Sequence, residues 1–213
     1  MDEQYGEYGS NLSNRVKSFL TINKIIIAIN IIVFIFMTID GDPTDANYLY
    51  DNGGISPHKF FKEFELGTLF TSMFMHAGIS HIASNMVMLW LMGDVLEKEF
   101  GKIYYFIVYM GSGLAAGLIS QMYYLMIGKE YTVSVGASGA IFGVIGAVVW
   151  ILIRNKGHWN NISLKRVVLY LIISVVAGLK DASVGMAAHI GGFIAGFIIC
   201  MILYRKGEMA YED

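Results

Sequence analysis

The stretch Val135-Gly136-Ala137-Ser138-Gly139-Ala140-Ile141-Phe142-Gly143-Val144-Ile145-Gly146 carries one hydroxyl at the head of a long apolar run. Small residues flank Ser138 on both sides, so a carbonyl carbon can come close to its Oγ. The first amides of a helix have no intrahelical acceptor. A serine placed there can attack, and can also donate its own N–H to the oxyanion that the attack creates. The stretch has a plainer use as well. Gly139 and Gly143 make a small-residue face against which a second helix packs closely. The two uses are compatible. What decides between a packing serine and a nucleophile is which other groups reach Ser138.

Composition sets the class. The chain has 213 residues, 55% of them hydrophobic and 15% charged, with a mean hydropathy of +0.55. That is too apolar for a soluble domain of this length and points to an all-α polytopic membrane protein. The net charge of −2 gives no footing for nucleic acid, and the single Cys200 excludes an internal disulfide. Six apolar runs, at 22–39, 79–96, 103–127, 133–153, 164–180 and 184–204, predict a compact bundle of six transmembrane helices. Each is near the ~20 residues that cross a bilayer, the second and fifth being interrupted or short. Residues 1–21 are expected to be a polar tail without the features of a signal peptide, 22–204 the membrane domain, and 205–213 a short second tail. The long connection 40–78 mixes carboxylates with Phe60, Phe61, Phe64 and Phe70, and is expected to lie partly in the membrane interface.

Lysine and arginine set the orientation. With six crossings, eleven of the fifteen fall on one side and four, Lys59, Lys62, Lys129 and Lys180, on the other. Both termini are therefore expected in the cytoplasm.

Polar side chains inside a span cost free energy, roughly 2.5 kcal/mol or more for a central charge, and so mark function. Here they are His76, His81, Asn85, Asp94, Ser112, Ser120, Gln121, Ser138, Ser174 and His189. Asp94 lies close to the cytoplasmic end, where it reaches water. Ser112, Ser120, Gln121 and Ser174 suit interhelical hydrogen bonds. His81 and Asn85, spaced i, i+4, share one helix face near the outer end of the second run. Ser138 is five residues into the fourth run and His189 five into the sixth, so all four groups fall at one depth. A neutral imidazole can take the proton of a serine hydroxyl. The small residues of Ala187-Ala188-His189-Ile190-Gly191-Gly192 let that helix press against the serine's own. Asn85 and His81 would supply N–H donors to the oxyanion.

These residues fall in recognisable motifs. Thr71-Ser72-Met73-Phe74-Met75-His76-Ala77-Gly78, leading to His81-Ile82-Ala83-Ser84-Asn85-Met86, resembles the signature of the rhomboid intramembrane serine proteases. So do Glu97-Lys98-Glu99-Phe100-Gly101, Gly136-Ala137-Ser138-Gly139 and Ala188-His189-Ile190-Gly191-Gly192, in the family's order, over about residues 53–202. The resemblance implies a six-helix fold with Ser138 as nucleophile and His189 as base. It assigns His81, Asn85 and the Ser138 N–H to the oxyanion hole, with His76, Phe142, Gly136 and Gly139 in support. It implies hydrolysis of transmembrane segments of other proteins in a lipid bilayer, in the plasma (inner) membrane, with no metal or cofactor.

Two positions depart from the family. A Trp-Arg pair usual in the first loop is Gly67-Thr68 here, and the aromatic four residues after the serine is Phe142 where tyrosine is common. No acid belongs to the motif. Asp181 lies eight residues before His189, and capping or solvating its loop suits it better than completing a triad. Two other classes fit some of these residues. A catalytically inactive relative would act as a membrane-protein chaperone or retrotranslocation factor, but the intact Ser138–His189 pair argues against it. A small transporter would carry polar groups through the full membrane thickness, whereas here the strongly polar ones, apart from Asp94 and Gln121, stop in the outer half.

Overall fold

The structure, a computed structural model, describes residues 21–159, 162–169, 171–172 and 185–204. Helix α1 (Ile22–Asp40) starts where the Thr21 hydroxyl accepts the Lys24 N–H at 3.2 Å. The long connection then folds into short pieces. These are α2 (Ala46–Asp51), α3 (Pro57–Phe61), α4 (Thr68–Thr71) and a 3-10 turn at Ser72–Phe74. Asp45 caps α2, and Ser56 caps α3 just before Pro57, which needs no N–H at a helix start. Next come α5 (Ile79–Met88), a π turn (Leu89–Gly93) and α6 (Asp94–Phe100), together one span, Ile79–Phe100. Gly101, at φ +78°, ends α6 and opens α7 (Lys102–Met126). Helix α8 (Ser138–Arg154) leads into a two-stranded hairpin, β1 (His158–Trp159) with β2 (Ile162–Ser163), and α9 (Met186–Leu203) closes the described chain.

Four helices, Ile22–Asp40, Ile79–Phe100, Lys102–Met126 and Met186–Leu203, are long and apolar enough to cross a bilayer. With α8 they account for five of the six expected runs. The fifth run, 164–180, is helical at 164–169, and most of the rest, Ser174 and the nearby Asp181 included, lies outside the described residues.

Helix α8 is the core. Thirteen of its 17 residues are buried, and α7 and α9 pack along it. Glycine makes that packing close. A Cβ on Gly192 or Gly196 of α9 would run into the carbonyl oxygens of Gly139 and Gly143, and one on Gly146 into that of Phe193. In a membrane, where no hydrophobic drive separates helix from lipid, such backbone approach supplies the van der Waals contact that holds helices together.

Helix α1 is held differently. Glu97 is buried, and its two carboxylate oxygens accept the Ile22 and Asn23 N–H groups at 2.8 and 2.7 Å. A carboxylate at a helix N-terminus satisfies orphan amides and the helix dipole together. The Asn23 amide donates to Asp94 Oδ1 at 2.7 Å and to the Leu89 carbonyl at 2.9 Å, and its oxygen accepts from the Tyr105 hydroxyl at 2.7 Å. The π turn is therefore tied down at its first carbonyl, and Gly93 leaves the space that Asn23 fills. Asp94, expected at water, is instead half-buried in this network.

Candidate active site

Ser138 is the first residue of α8, not five residues into a helix as the apolar run suggested. Residues before it are extended: Ile55 and Ser134 exchange backbone hydrogen bonds at 3.2 and 2.7 Å. The Gly136 N–H then donates to the Ser72 carbonyl at 2.8 Å, and Gly136 turns the chain at φ +122° into α8. No side chain caps that helix, so its first amides keep their donors for whatever lies at its mouth. Seventeen residues at ~1.5 Å each span about 26 Å, less than the ~30 Å of a hydrocarbon core. The helix by itself is therefore too short to cross that core.

His189 lies in the first turn of α9, and its Nε2 is 2.9 Å from Ser138 Oγ. The two glycine-lined helices bring these groups together across 51 residues of sequence. The imidazole stacks on the Phe142 ring with centroids 4.2 Å apart and planes 9° from parallel, so stacking needs no phenol hydroxyl. His189 Nδ1 is buried and has no hydrogen-bond partner among the described residues.

His81 and Asn85 face the same place from α5. A Cβ on Gly136 would sit 2.8 Å from His81 Cε1 and Nε2, and 3.8 Å from Asn85 Nδ2. The missing side chain thus leaves a small pocket onto which both nitrogens look. Asn85 is buried and its amide nitrogen has no partner among the described residues. An unpaired buried donor is costly to keep, which fits a group reserved for a charge formed during reaction. His81 Nδ1 accepts the Ala77 N–H at 3.3 Å. His76 is fully buried and packs edge-on against His81 at 5.1 Å.

A cavity of about 900 Å³ reaches these groups. Thr44, Ser80 and Ser84, and Gly113, Ala116, Ser120 and Tyr124 of α7, line it together with Ser138, His189, His81 and Asn85. Ser112 does hydrogen-bond across helices, to the Ala140 carbonyl at 3.5 Å. Ser120 lines the cavity, and the Gln121 amide is buried without a partner among the described residues. Sequence reasoning missed the Ser72 carbonyl and the Ala77 amide. Both act through the backbone, which leaves no mark in residue identity.

A serine, a histidine within hydrogen-bond reach and free donors at a helix mouth form a set suited to acyl transfer. Comparison with known proteins gives that set a lineage. The Rhomboid domain model matches residues 63–206. Rhomboid protease GluP of Bacillus subtilis (strain 168) is 28% identical over 183 residues, covering 86% of this chain and 35% of its own length. In Arabidopsis thaliana, RHOMBOID-like protein 4 is 34% identical over 152 residues, 71% of this chain and 37% of its own. RHOMBOID-like protein 7 is 32% identical over 162 residues, 76% of this chain and 50% of its own. The chain thus spans between a third and a half of these relatives. Motif order, helix packing and a family match over two thirds of the sequence agree, and the chain is an integral membrane protein that belongs to the rhomboid family.

Proposed function

We propose that the protein is an intramembrane serine endopeptidase that cuts transmembrane segments of other proteins through a Ser138–His189 dyad. The observation that carries this reading is the 2.9 Å contact between Ser138 Oγ and His189 Nε2 at the mouth of an uncapped helix. In the first step His189 Nε2 takes the hydroxyl proton as Oγ bonds to the scissile carbonyl carbon. The carbonyl oxygen becomes an oxyanion, held by the Ser138 N–H, the Asn85 amide and the His81 Nε2–H. Collapse of this adduct breaks the C–N bond, and the imidazolium returns its proton to the leaving amine. Water then gives a proton to His189 as its oxygen adds to the acyl carbon, and the imidazolium returns that proton to Ser138 Oγ as the ester C–O bond breaks and the new C-terminus leaves. With no acid beside His189 Nδ1 among the described residues, the Phe142 face keeps the imidazole in plane, and a dyad gives the imidazolium less support than a triad would.

The substrate follows from the same chemistry. A transmembrane helix hides its peptide bonds in i→i−4 hydrogen bonds and must unwind before attack. Glycine, other small residues or helix breakers near the cut lower that cost. Cleavage occurs on the outer side of the plasma membrane if the lysine and arginine bias sets both termini in the cytoplasm.

The test is cleavage of a generic single-pass substrate by the protein purified in detergent. Wild type is expected to cut it, and Ser138→Ala to fold, insert and not cut. Wild-type turnover by Ser138→Ala would end the protease reading. An uncut substrate with a folded wild-type protein would favour the inactive, chaperone-like relative.

A further inference from the structure

We infer that the main-chain N–H of Ala77, presented by the turn at Gly78, is a positioning group that holds neutral His81 as the tautomer protonated on Nε2. The inference rests on the reading of His81 as an oxyanion donor. In a neutral imidazole one ring nitrogen carries the proton and the other accepts, and the hydrogen bond made by one sets the state of the other. His81 Nδ1 accepts the Ala77 N–H at 3.3 Å. A nitrogen that accepts has no proton, so the proton sits on Nε2. That is the atom facing the pocket left by Gly136, where an ideal Cβ would lie 2.8 Å from it. The opposite tautomer would set two N–H groups against each other at Ala77 and turn a bare lone pair toward the oxyanion.

The backbone is shaped for this. Gly78 lies at φ +110°, a conformation L side chains rarely adopt, and it turns the chain into α5. That turn leaves the Ala77 amide outside the helix, directed at His81 in its first turn, while the Gly78 carbonyl takes the Ile82 N–H at 3.2 Å. His76, fully buried, packs edge-on against the His81 ring with planes 66° apart and limits its swing. A ring flip would exchange Nδ1 for a carbon at the Ala77 amide and lose the bond. The loop thus fixes both the orientation of the ring and the site of its proton, with no side-chain acceptor.

The ring nitrogens of histidine report this directly. Protein labelled with 15N in histidine, with His81→Gln used to assign the signals, is expected to show His81 neutral near pH 8 with the proton on Nε2. A proton on Nδ1 would overturn the inference, whatever the activity. The second arm removes the donor, by Ala77→Pro or by an ester in place of the residue 77 amide. Mixed tautomer signals are expected, with kcat down at least about tenfold, short of the ~10²–10³ typical for loss of a whole donor. KM should hold. An ester variant with unchanged His81 signals and unchanged kcat would also overturn it. Should Ala77→Pro not fold, the ester and the wild-type spectrum still decide. Labelling of Ser138 by a fluorophosphonate separates the two readings. No labelling of wild type refutes the dyad, whereas labelling with His81 protonated on Nδ1 refutes only the tautomer.

Discussion

Gly136 has no side chain where His81 and Asn85 look into the site, and its φ of +122° is one that other residues resist. Gly136→Ala is expected to fill that pocket. Cleavage should fall at least about 100-fold, as for loss of an oxyanion donor, and kcat should take the loss. Asn85→Ala removes a donor without filling the space. A kcat lower by about 10- to 1,000-fold is expected, with KM nearly constant, because the oxygen it serves is negative only in the transition state. A change confined to KM would show that Asn85 binds substrate instead. On the proposed mechanism Ser138→Ala leaves no nucleophile and His189→Ala no base, and either should abolish cleavage. Because His189 must be neutral to take the hydroxyl proton, the rate should fall as the medium is acidified from about pH 8 to pH 5. The sign is that of a base: activity is present where the imidazole is unprotonated and is lost on its protonation. A rate flat across that range would move control to another group or another step.

The helices place these residues by contacts that the sequence discloses unevenly. Gly192→Ala puts a Cβ against the Gly139 carbonyl and should push α9 away from α8. Displacing a reacting group by about 1 Å costs on the order of 100-fold, so kcat should drop steeply, together with the thermal midpoint. Glu97→Gln keeps the shape but loses the carboxylate that receives two amides of α1. A loss of about 1–3 kcal/mol is expected, read as a lower thermal midpoint in detergent with near-normal cleavage at low temperature. The glycine spacing behind the first contact is plain in the sequence, since small residues four apart stand out in an apolar run. So do His189 and Ser138, because polar groups are rare there. The true start of α8 was not legible. Val133 and Val135 are apolar whether extended or helical, and a short apolar run cannot tell the two apart; the pairing with Ile55, far away in sequence, makes the stretch extended. Nor was the π turn, which depends on an asparagine 66 residues earlier. Nor was the burial of His76 behind His81, which comes from the packing of the two rings and not from residue identity.

Across the whole molecule, the loops on the Ser138 side form one unit with the site. The first loop meets the segment before Ser138 at Ile55–Ser134, at Ser72–Gly136 and through the His58 N–H on the Glu130 carbonyl at 2.9 Å. The His58 ring stacks on Tyr131 at 4.6 Å. Within the loop, buried Lys59 pairs with Glu65 at 3.2 Å and lies 4.5 Å from the centre of the Tyr50 ring. Phe64, Leu66 and Phe70 point outward, as an element seated in the membrane interface requires. These contacts seat the loop without a Trp-Arg pair, and a Cβ at Gly67 would meet open space. The double substitution Gly67→Trp with Thr68→Arg is therefore expected to leave the thermal midpoint unchanged or lower it, since Thr68 is buried and its hydroxyl already binds the Glu65 carbonyl at 2.6 Å. A clear rise would show that the loop is poorly seated. Loops, helices and glycines converge on one claim, that His189 activates Ser138. Reaction of the native protein with a fluorophosphonate, followed by peptide mapping, tests it most directly. The expected result is a single adduct on Ser138 that falls sharply in His189→Ala and persists, more slowly formed, in Asn85→Ala. An adduct elsewhere, none at all, or undiminished labelling in His189→Ala would contradict it.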